Sequence, residues 1–331
     1  MSRPVTIEDV RRAADAIRPT LPATPAWSYP TLDAVVGTTV VVKHENTQPT
    51  GAFKVRGGLA LVATLTPAEL ARGLVTASTG NHAQSIAYAA RHVGARAVIV
   101  APEGSPAGKL EAVRLLGATV VVHGASMTEA GAEALRLADA DGMAYVDPGD
   151  TPAIIAGHAT VTLELLTQHP ELTAIYVPVG SGTSAAGAIV VRDALAPDCA
   201  VIGVQSSAAP AAYRSWTAGS LVNAPCETRH SGLATARGYA LPQAIMAAGL
   251  DDFVLVTDDD IDAAAVLLAT AAHTLAEGAG ATALAGLIAL AGLIARGGQV
   301  ARGGQSGPCA VICSGGNASA LDLAALGRSA R

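Results

Sequence analysis

Lysine is nearly missing from this chain: of 21 basic residues among 331, only Lys43, Lys54 and Lys109 are lysines and the rest are arginines. Positive charge is short altogether, because 27 acidic residues outweigh the 21 basic ones and leave a net charge of −6. No basic stripe is available to release counterions from a phosphate backbone, which excludes DNA and RNA as partners. Cysteine is sparse as well. Cys199, Cys226, Cys309 and Cys313 are scattered without a C-x-x-C pair, so neither structural zinc nor a disulfide framework is supported, and a reducing cytoplasm fits. Charged residues make up only 15% and hydrophobic ones 50%, which rules out a disordered, highly charged chain. An export signal is not expected either, since Met1-Ser2-Arg3-Pro4 leads straight into a charged, helix-like stretch from Ile7 to Ile17. Long apolar runs are missing with one exception, the 18 uncharged residues Gly278 to Ala295. These are mostly Ala and Gly with six Leu or Ile, so the segment reads as buried core and no membrane association is expected.

What the chain does have is alternation. Apolar β-rich runs trade places with Ala-rich helical patterns, the form taken by parallel strands joined by crossover helices, so the class is α/β. Strands are expected at Thr39 to Val42, Gly73 to Ala77, Arg96 to Val100, Thr119 to Val122, Ala174 to Val177, Ala200 to Val204, Asp252 to Val256 and Pro308 to Cys313. Most are continuous Val/Ile runs, as strands covered on both faces require. Eight strands exceed one small sheet, and at about 100 to 200 residues per domain the length predicts roughly two domains. The run of three strands between 73 and 122, closing near Asp147-Pro148-Gly149-Asp150, marks residues 71–150 as the smaller one. Gly297 to Gly307 reads as a flexible loop before the last strand, and no appended regulatory domain is expected after it.

Four stretches carry chemistry. A chain that defaults to arginine is expected to keep lysine where an amine is needed, because a desolvated ammonium can lose its proton and a guanidinium cannot. Lys54, in Thr50-Gly51-Ala52-Phe53-Lys54-Val55-Arg56-Gly57-Gly58, is the best placed of the three, although an ordinary surface lysine would read the same way. Ala77-Ser78-Thr79-Gly80-Asn81-His82-Ala83-Gln84 follows one strand and runs into a helical stretch, Ser85 to Arg91. Such a loop can hold a carboxylate at the helix N-terminus, or Ser78 or Thr79 can simply cap the helix, and His82 can be structural. Val179-Gly180-Ser181-Gly182-Thr183-Ser184-Ala185 also links a strand to a helix and has the shape of a phosphate cradle. It lacks the Gly-Lys-Ser/Thr ending of a P-loop, and its loose G-x-G-x-x-A pattern is followed by a strand ending at Gln205, where a dinucleotide site needs an acid. Finally, Cys313-Ser314-Gly315-Gly316-Asn317 breaks a strand into a glycine turn, with Ser314 at the strand's end.

An amine in an apolar pocket, a carboxylate loop, a phosphate cradle and a strand-end hydroxyl match the needs of pyridoxal 5′-phosphate and an amino acid. Residues 43–58 together with Ser78 to Gln84 resemble the fold type II pyridoxal phosphate enzymes, specifically the threonine/serine dehydratase and serine racemase family, over nearly the whole chain. The resemblance implies two open, twisted, mostly parallel sheets flanked by helices, as in the tryptophan synthase β-subunit. It implies a large cofactor-binding domain from 1–70 and 151–331, and a small domain, 71–150, carrying the asparagine loop. By the same resemblance Lys54 forms the Schiff base and shuttles the Cα proton, Phe53 packs beside the ring, and Asn81 bonds the phenolic oxygen. Ser78, Thr79, Gly80, Asn81 and His82 surround the substrate carboxylate. Gly180, Ser181, Gly182, Thr183 and Ser184 hold the phosphate, and Ser314 meets the pyridine nitrogen.

The expected activity is an ammonia-lyase (dehydratase) removing water from a β-hydroxy amino acid to give a 2-oxo acid and ammonia, in a cytoplasmic homo-oligomer, dimer or tetramer. Three departures from the family pattern stand out: hydroxyl residues intrude in the glycine loop, Thr79 replaces the usual Ala or Ser, and Gln205 to Ala211 supplies no acid for a divalent metal, so none is expected there. β-Replacement as in cysteine synthase is the main rival, though Ser78-Thr79-Gly80-Asn81-His82 fits the dehydratase form better. Racemisation rests on Thr79 alone, and an NAD-dependent oxidoreductase on Gly180, Gly182 and Ala185 alone. A non-catalytic amino-acid or cofactor-binding protein is the remaining reading.

Overall fold

The computed structural model describes residues 4–295, 307–320 and 322–324, so the loop expected over 297–307 lies, apart from its last residue, outside the described residues. Among the described residues ten strands form two sheets. They are β1 (Ala26–Ser28), β2 (Val40–His44), β3 (Leu74–Ala77), β4 (Ala97–Ala101), β5 (Thr119–Val122), β6 (Ala144–Tyr145), β7 (Ala174–Pro178), β8 (Ala200–Ser206), β9 (Asp252–Val256) and β10 (Cys309–Cys313). One sheet has the order β1-β2-β10-β7-β8-β9 and the other β5-β4-β3-β6. Every pairing is parallel except that of β1 with β2. All eight expected strands are present. β1 and β6, of three and two residues, are too short to leave a periodic signal.

The continuous apolar runs follow from where the strands lie. In the larger sheet, Ile175 and Val177 pack into a core with the helices Lys54–Val62, Pro152–Gln168 and Thr183–Leu195, while Ala174 and Tyr176 point to a second core on the opposite face. Alternate side chains are thus buried on both sides, and neither set can be polar. The uncharged helix Gly278–Ala295 belongs to the second face, where Ala279 and Ala281 through Leu287 meet the sheet. Among the described residues no helix is long and apolar enough to cross a membrane.

Two cations lie deep inside, paired with the equally buried Glu45 and the surface-reaching Glu164. Arg56 is wholly buried and donates to Glu45 at 2.7 and 2.8 Å and to Glu164 at 2.7 and 2.8 Å. Lys43, also wholly buried, donates to Glu164 and to the Thr24 carbonyl, each at 2.8 Å. Burial opposes the ionised form of Glu45, but the Arg56 guanidinium overcomes it and holds the carboxyl below its usual range. Lys43 is therefore committed to an internal ion pair. Next to this network the helices Lys54–Val62 and Pro152–Gln168 touch backbone to backbone, because a Cβ on Gly157 would fall 2.6 Å from the Arg56 carbonyl and 2.8 Å from Gly57 Cα. Only glycine permits that approach, and it seats the turn that begins at Lys54.

Candidate active site

All four chemistry-bearing stretches lie beyond the carboxyl ends of strands, where open α/β sheets place ligands. Ser78 to Gly80 follow β3, Gly180 to Gly182 follow β7, Ser314 follows β10, and Lys54 opens the helix reached from β2. They converge on one cavity of about 680 Å³, lined by Phe53, Lys54, Ser78, Thr79, Gly80, Asn81, His82, Gly180, Ser181, Gly182, Thr183, Ser184 and Ser314. Every residue singled out in the sequence reading for this site is brought to the same chamber.

Lys54 is no surface lysine. Its half-buried side chain lines the cavity, and desolvation of the amine, without an opposing negative charge, pushes it down to about 8. The ammonium lies 4.9 Å from the Phe53 ring centroid and donates a long hydrogen bond, 3.4 Å, to Thr183 Oγ1. His82 and His158 are nearby and buried; burial together with the Lys54 charge drives His82 down to about 3 and His158 well below its ordinary value. Both imidazoles are neutral. A lysine held among neutral groups keeps a sizeable unprotonated fraction near neutral pH, which a carbonyl-trapping amine requires.

The asparagine loop does not cap its helix in the ordinary way. The helix runs Asn81–His92 and so starts before the expected Ser85; its N-cap is Gly80, and no side chain bonds to the first turn. Ser78 Oγ accepts only from the Gly80 N–H, at 3.3 Å, so Ser78 and Thr79 are left facing the cavity. The Asn81 amide is fixed from two sides: Nδ2 donates to Glu277 Oε1 at 2.5 Å, and Oδ1 accepts from Asn317 Nδ2 at 2.8 Å. His82 Nε2 is bonded to Thr76 Oγ1 at 3.2 Å, which makes it a wall of the site rather than a free base. Burial raises the Glu277 carboxyl above its ordinary value, partly countered by the Asn81 hydrogen bond.

The glycine loop is wedged in place. Gly182 sits at φ +90, where a side chain is strained, and a Cβ there would press on Met246 and Pro242 at 2.8 and 3.0 Å. The loop enters the 13-residue helix Thr183–Leu195, whose N-terminus presents N–H groups and a favourable dipole to an anion. Ser314 Oγ donates to the Ala279 carbonyl at 3.0 Å, and its own carbonyl accepts from the Phe53 N–H at 2.9 Å, tying β10 to the start of the lysine helix.

Several residues at the site were not foreseen. Glu277, Asn317, His158, Lys109, Ser231, Asp147 and Arg237 either line the cavity or bond to residues that do. Glu277 did leave a trace, being the last charge before the long uncharged helix; the others depend on contacts between distant stretches.

The donor set fits pyridoxal phosphate: a depressed amine with no ion-pair partner among the described residues, a rigid loop at a helix N-terminus for a phosphate, and a neutral hydroxyl across the cavity. Fold and site together define a two-sheet α/β enzyme architecture built around a reactive lysine. Residues 17–302 match the pyridoxal-phosphate dependent enzyme family, and the chain belongs to it. Over 268 residues it is 39% identical to the L-threonine dehydratase biosynthetic IlvA of Pasteurella multocida, covering 79% of this chain and 51% of that protein. Over 282 residues it is 34% identical to the L-threonine ammonia-lyase of Thermotoga maritima, covering 85% and 70%. The structure of maize serine racemase superposes with a TM-score of 0.90 at 29% identity, over 98% of each chain. The chain spans about half the length of the Pasteurella relative.

Proposed function

We propose that this protein is a pyridoxal phosphate-dependent ammonia-lyase that eliminates water from a β-hydroxy amino acid of the threonine/serine type, yielding a 2-oxo acid and ammonia. The observation that carries the reading is Lys54: an amine with a pKa of about 8, in one cavity with the glycine loop, the asparagine loop and Ser314. The relatives' names, L-threonine dehydratase and L-threonine ammonia-lyase, support it.

Bound through Lys54, pyridoxal phosphate supplies an electron sink for the pair released at the substrate's Cα. In this reading Lys54 carries the Cα proton. Ser78, Thr79, Gly80, Asn81 and His82 receive the substrate carboxylate, with the Asn81 amide held in one orientation by Glu277 and Asn317. Asn81 would also face the cofactor's phenolic oxygen, Phe53 would pack beside its ring, and Gly180 to Ser184 would hold its phosphate. Ser314 would meet the ring nitrogen with an uncharged hydroxyl, without the negative charge by which a carboxylate would hold a proton there. Residues 71–150, which contain β3 to β6, are taken as the small domain, and 1–70 with 151–331 as the large one. The cytoplasm and a homo-oligomeric state, dimer or tetramer, complete the reading, and no divalent metal is assigned at Gln205 to Ala211.

The test has two parts. Borohydride reduction of the yellow protein, followed by peptide mapping, is expected to leave the pyridoxyl group on Lys54; a group on Lys43 or Lys109 defeats the assignment. Serine, threonine, phenylserine and 3-hydroxyaspartate stereoisomers are then screened for 2-oxo acid and ammonia. Consumption of an added thiol with neither product would favour β-replacement instead.

Racemisation is kept as a second activity because Thr79, with no capping role, faces the cavity. Thr79→Ala is expected to eliminate normally but stop exchanging the α-hydrogen of retained substrate; unchanged exchange removes that role.

A further inference from the structure

Behind Lys54 stands a buried pair that no motif announced. Thr183, 1% exposed, accepts from Lys54 Nζ at 3.4 Å, and its Oγ1 lies 3.0 Å from His158 Nδ1. His158 is also 1% exposed, and its ring packs on Phe53 with centroids 4.5 Å apart. Its other nitrogen, Nε2, has no hydrogen-bond partner among the described residues and faces the backbone of Gly57, where a Cβ would fall 2.5 Å away. The His158 ring therefore cannot shift, being clamped between Phe53 and the Gly57 backbone; its side-chain hydrogen bond is to the Thr183 hydroxyl, and the Lys54 backbone lies close to the ring as well.

A hydroxyl has a single hydrogen and two lone pairs, so its partners must divide these roles. In the cofactor-free chain the weaker neighbours of Thr183 Oγ1 are Lys54 Nζ and, within the glycine loop, Ser181 Oγ, each at 3.4 Å. If Nδ1 were a bare lone pair, Thr183 would spend its hydrogen on His158 and have nothing to offer an anion in the glycine loop. If Nδ1 carries the proton, Thr183 accepts from His158, and its hydrogen is released towards the loop. The second arrangement also leaves Nε2 as a lone pair, which is a lesser loss in a buried site than an N–H without an acceptor.

We infer that His158 is a positioning residue: as the Nδ1–H tautomer it donates to Thr183 Oγ1 and turns the Thr183 hydroxyl into a dedicated donor for the cofactor's phosphate. The inference rests on residues 180–184 forming the phosphate cradle. It sets the site apart from a loop of plain glycines, since a hydroxyl oriented by a histidine does work that backbone N–H groups otherwise do alone.

The test uses the full-length holoenzyme and reads cofactor binding rather than turnover. His158→Leu is expected to weaken pyridoxal phosphate binding to the apoprotein by about tenfold to hundredfold, the usual range for losing one hydrogen bond to a charged group, and to shift the ³¹P resonance of the bound phosphate. His158→Asn, whose amide nitrogen falls where Nδ1 was, is expected to restore both. In a Thr183→Ala background His158→Leu should add nothing, because the two act as one unit. Unchanged affinity and ³¹P shift in His158→Leu, or full additivity with Thr183→Ala, overturns the inference. Should His158→Leu fail to fold, ¹⁵N spectra of the histidine-labelled wild-type holoenzyme decide: a protonated Nδ1 upholds it and a protonated Nε2 sinks it. The parent reading fails separately, through absence of a reduced cofactor adduct on Lys54 in the unaltered chain.

Discussion

Lys54 differs from the chain's other two lysines in what surrounds it. Lys43 has Glu164 and a carbonyl at hydrogen-bond distance and Lys109 donates to Ser231 Oγ, whereas Lys54 meets a hydroxyl, a phenyl ring and neutral histidines. Its proton is correspondingly loose. The rate at which the apoprotein captures pyridoxal phosphate is expected to climb with pH and level off near 8, as read by the absorbance of the covalent adduct. A rate still climbing at pH 10 would mean an ordinary lysine. The same depression acts on stability with a definite sign. Between about 8 and the model-peptide value near 10.5 the unfolded chain binds more protons than the folded one, so raising the pH across that window stabilises the cofactor-free fold. Urea unfolding of Lys54→Met against the parent should show this gain only in the parent.

Arg56, two residues on, is a purely structural cation. Replacing it with Met strands the buried Glu45, while Glu164 keeps its contact with Lys43, and an unpaired buried charge typically costs about 3–5 kcal/mol. A loss below about 1 kcal/mol in chemical denaturation would show the pair to be expendable. The three lysines alone could not reveal this division of labour; the scarcity of lysine drew attention to Lys54, but only its neighbours distinguish it from Lys43.

At the scale of elements, the crossing of Lys54–Val62 with Pro152–Gln168 sets where the lysine emerges. Gly157→Ala would force a methyl against the Arg56 carbonyl and Ala60, an overpacking worth about 1–3 kcal/mol. It should also weaken cofactor binding, since the displaced helix carries Lys54 at its first turn; retained affinity in a destabilised variant would separate the crossing from the site. Long strands such as β7 and β8 were legible because both faces are buried and their runs are unbroken. β1 and β6 were not, being held by neighbours rather than by pattern. The helix start at Asn81 was missed for a similar reason, because Gly80 closes that end without a capping side chain.

Across the whole molecule, the two sheets meet at the cavity, and polar contacts join its two sides. Lys109, from the helix that precedes β5, donates to Ser231 Oγ at 2.5 Å in the loop ahead of Ala240–Gly249. Such an exposed contact adds little to stability, so Ser231→Ala is expected to leave the unfolding midpoint in place while raising KM a few-fold. A midpoint that falls with an unchanged KM would assign the contact to folding instead.

Composition and periodicity determined the α/β class, the eight main strands and the four chemical stretches, because each is written within a run of about ten residues whose hydrophobic rhythm and glycines act locally. What only the tertiary structure decided is which distant residues serve those stretches. Glu277 and Asn317 hold the Asn81 amide, His158 reaches Thr183, and Glu164 reaches both Arg56 and Lys43. These partners stand 25 to 236 positions apart along the chain. The physical reason is burial: a hydrogen bond or a pKa depends on what excludes water from the group, and those atoms are supplied by packing, not by sequence neighbours.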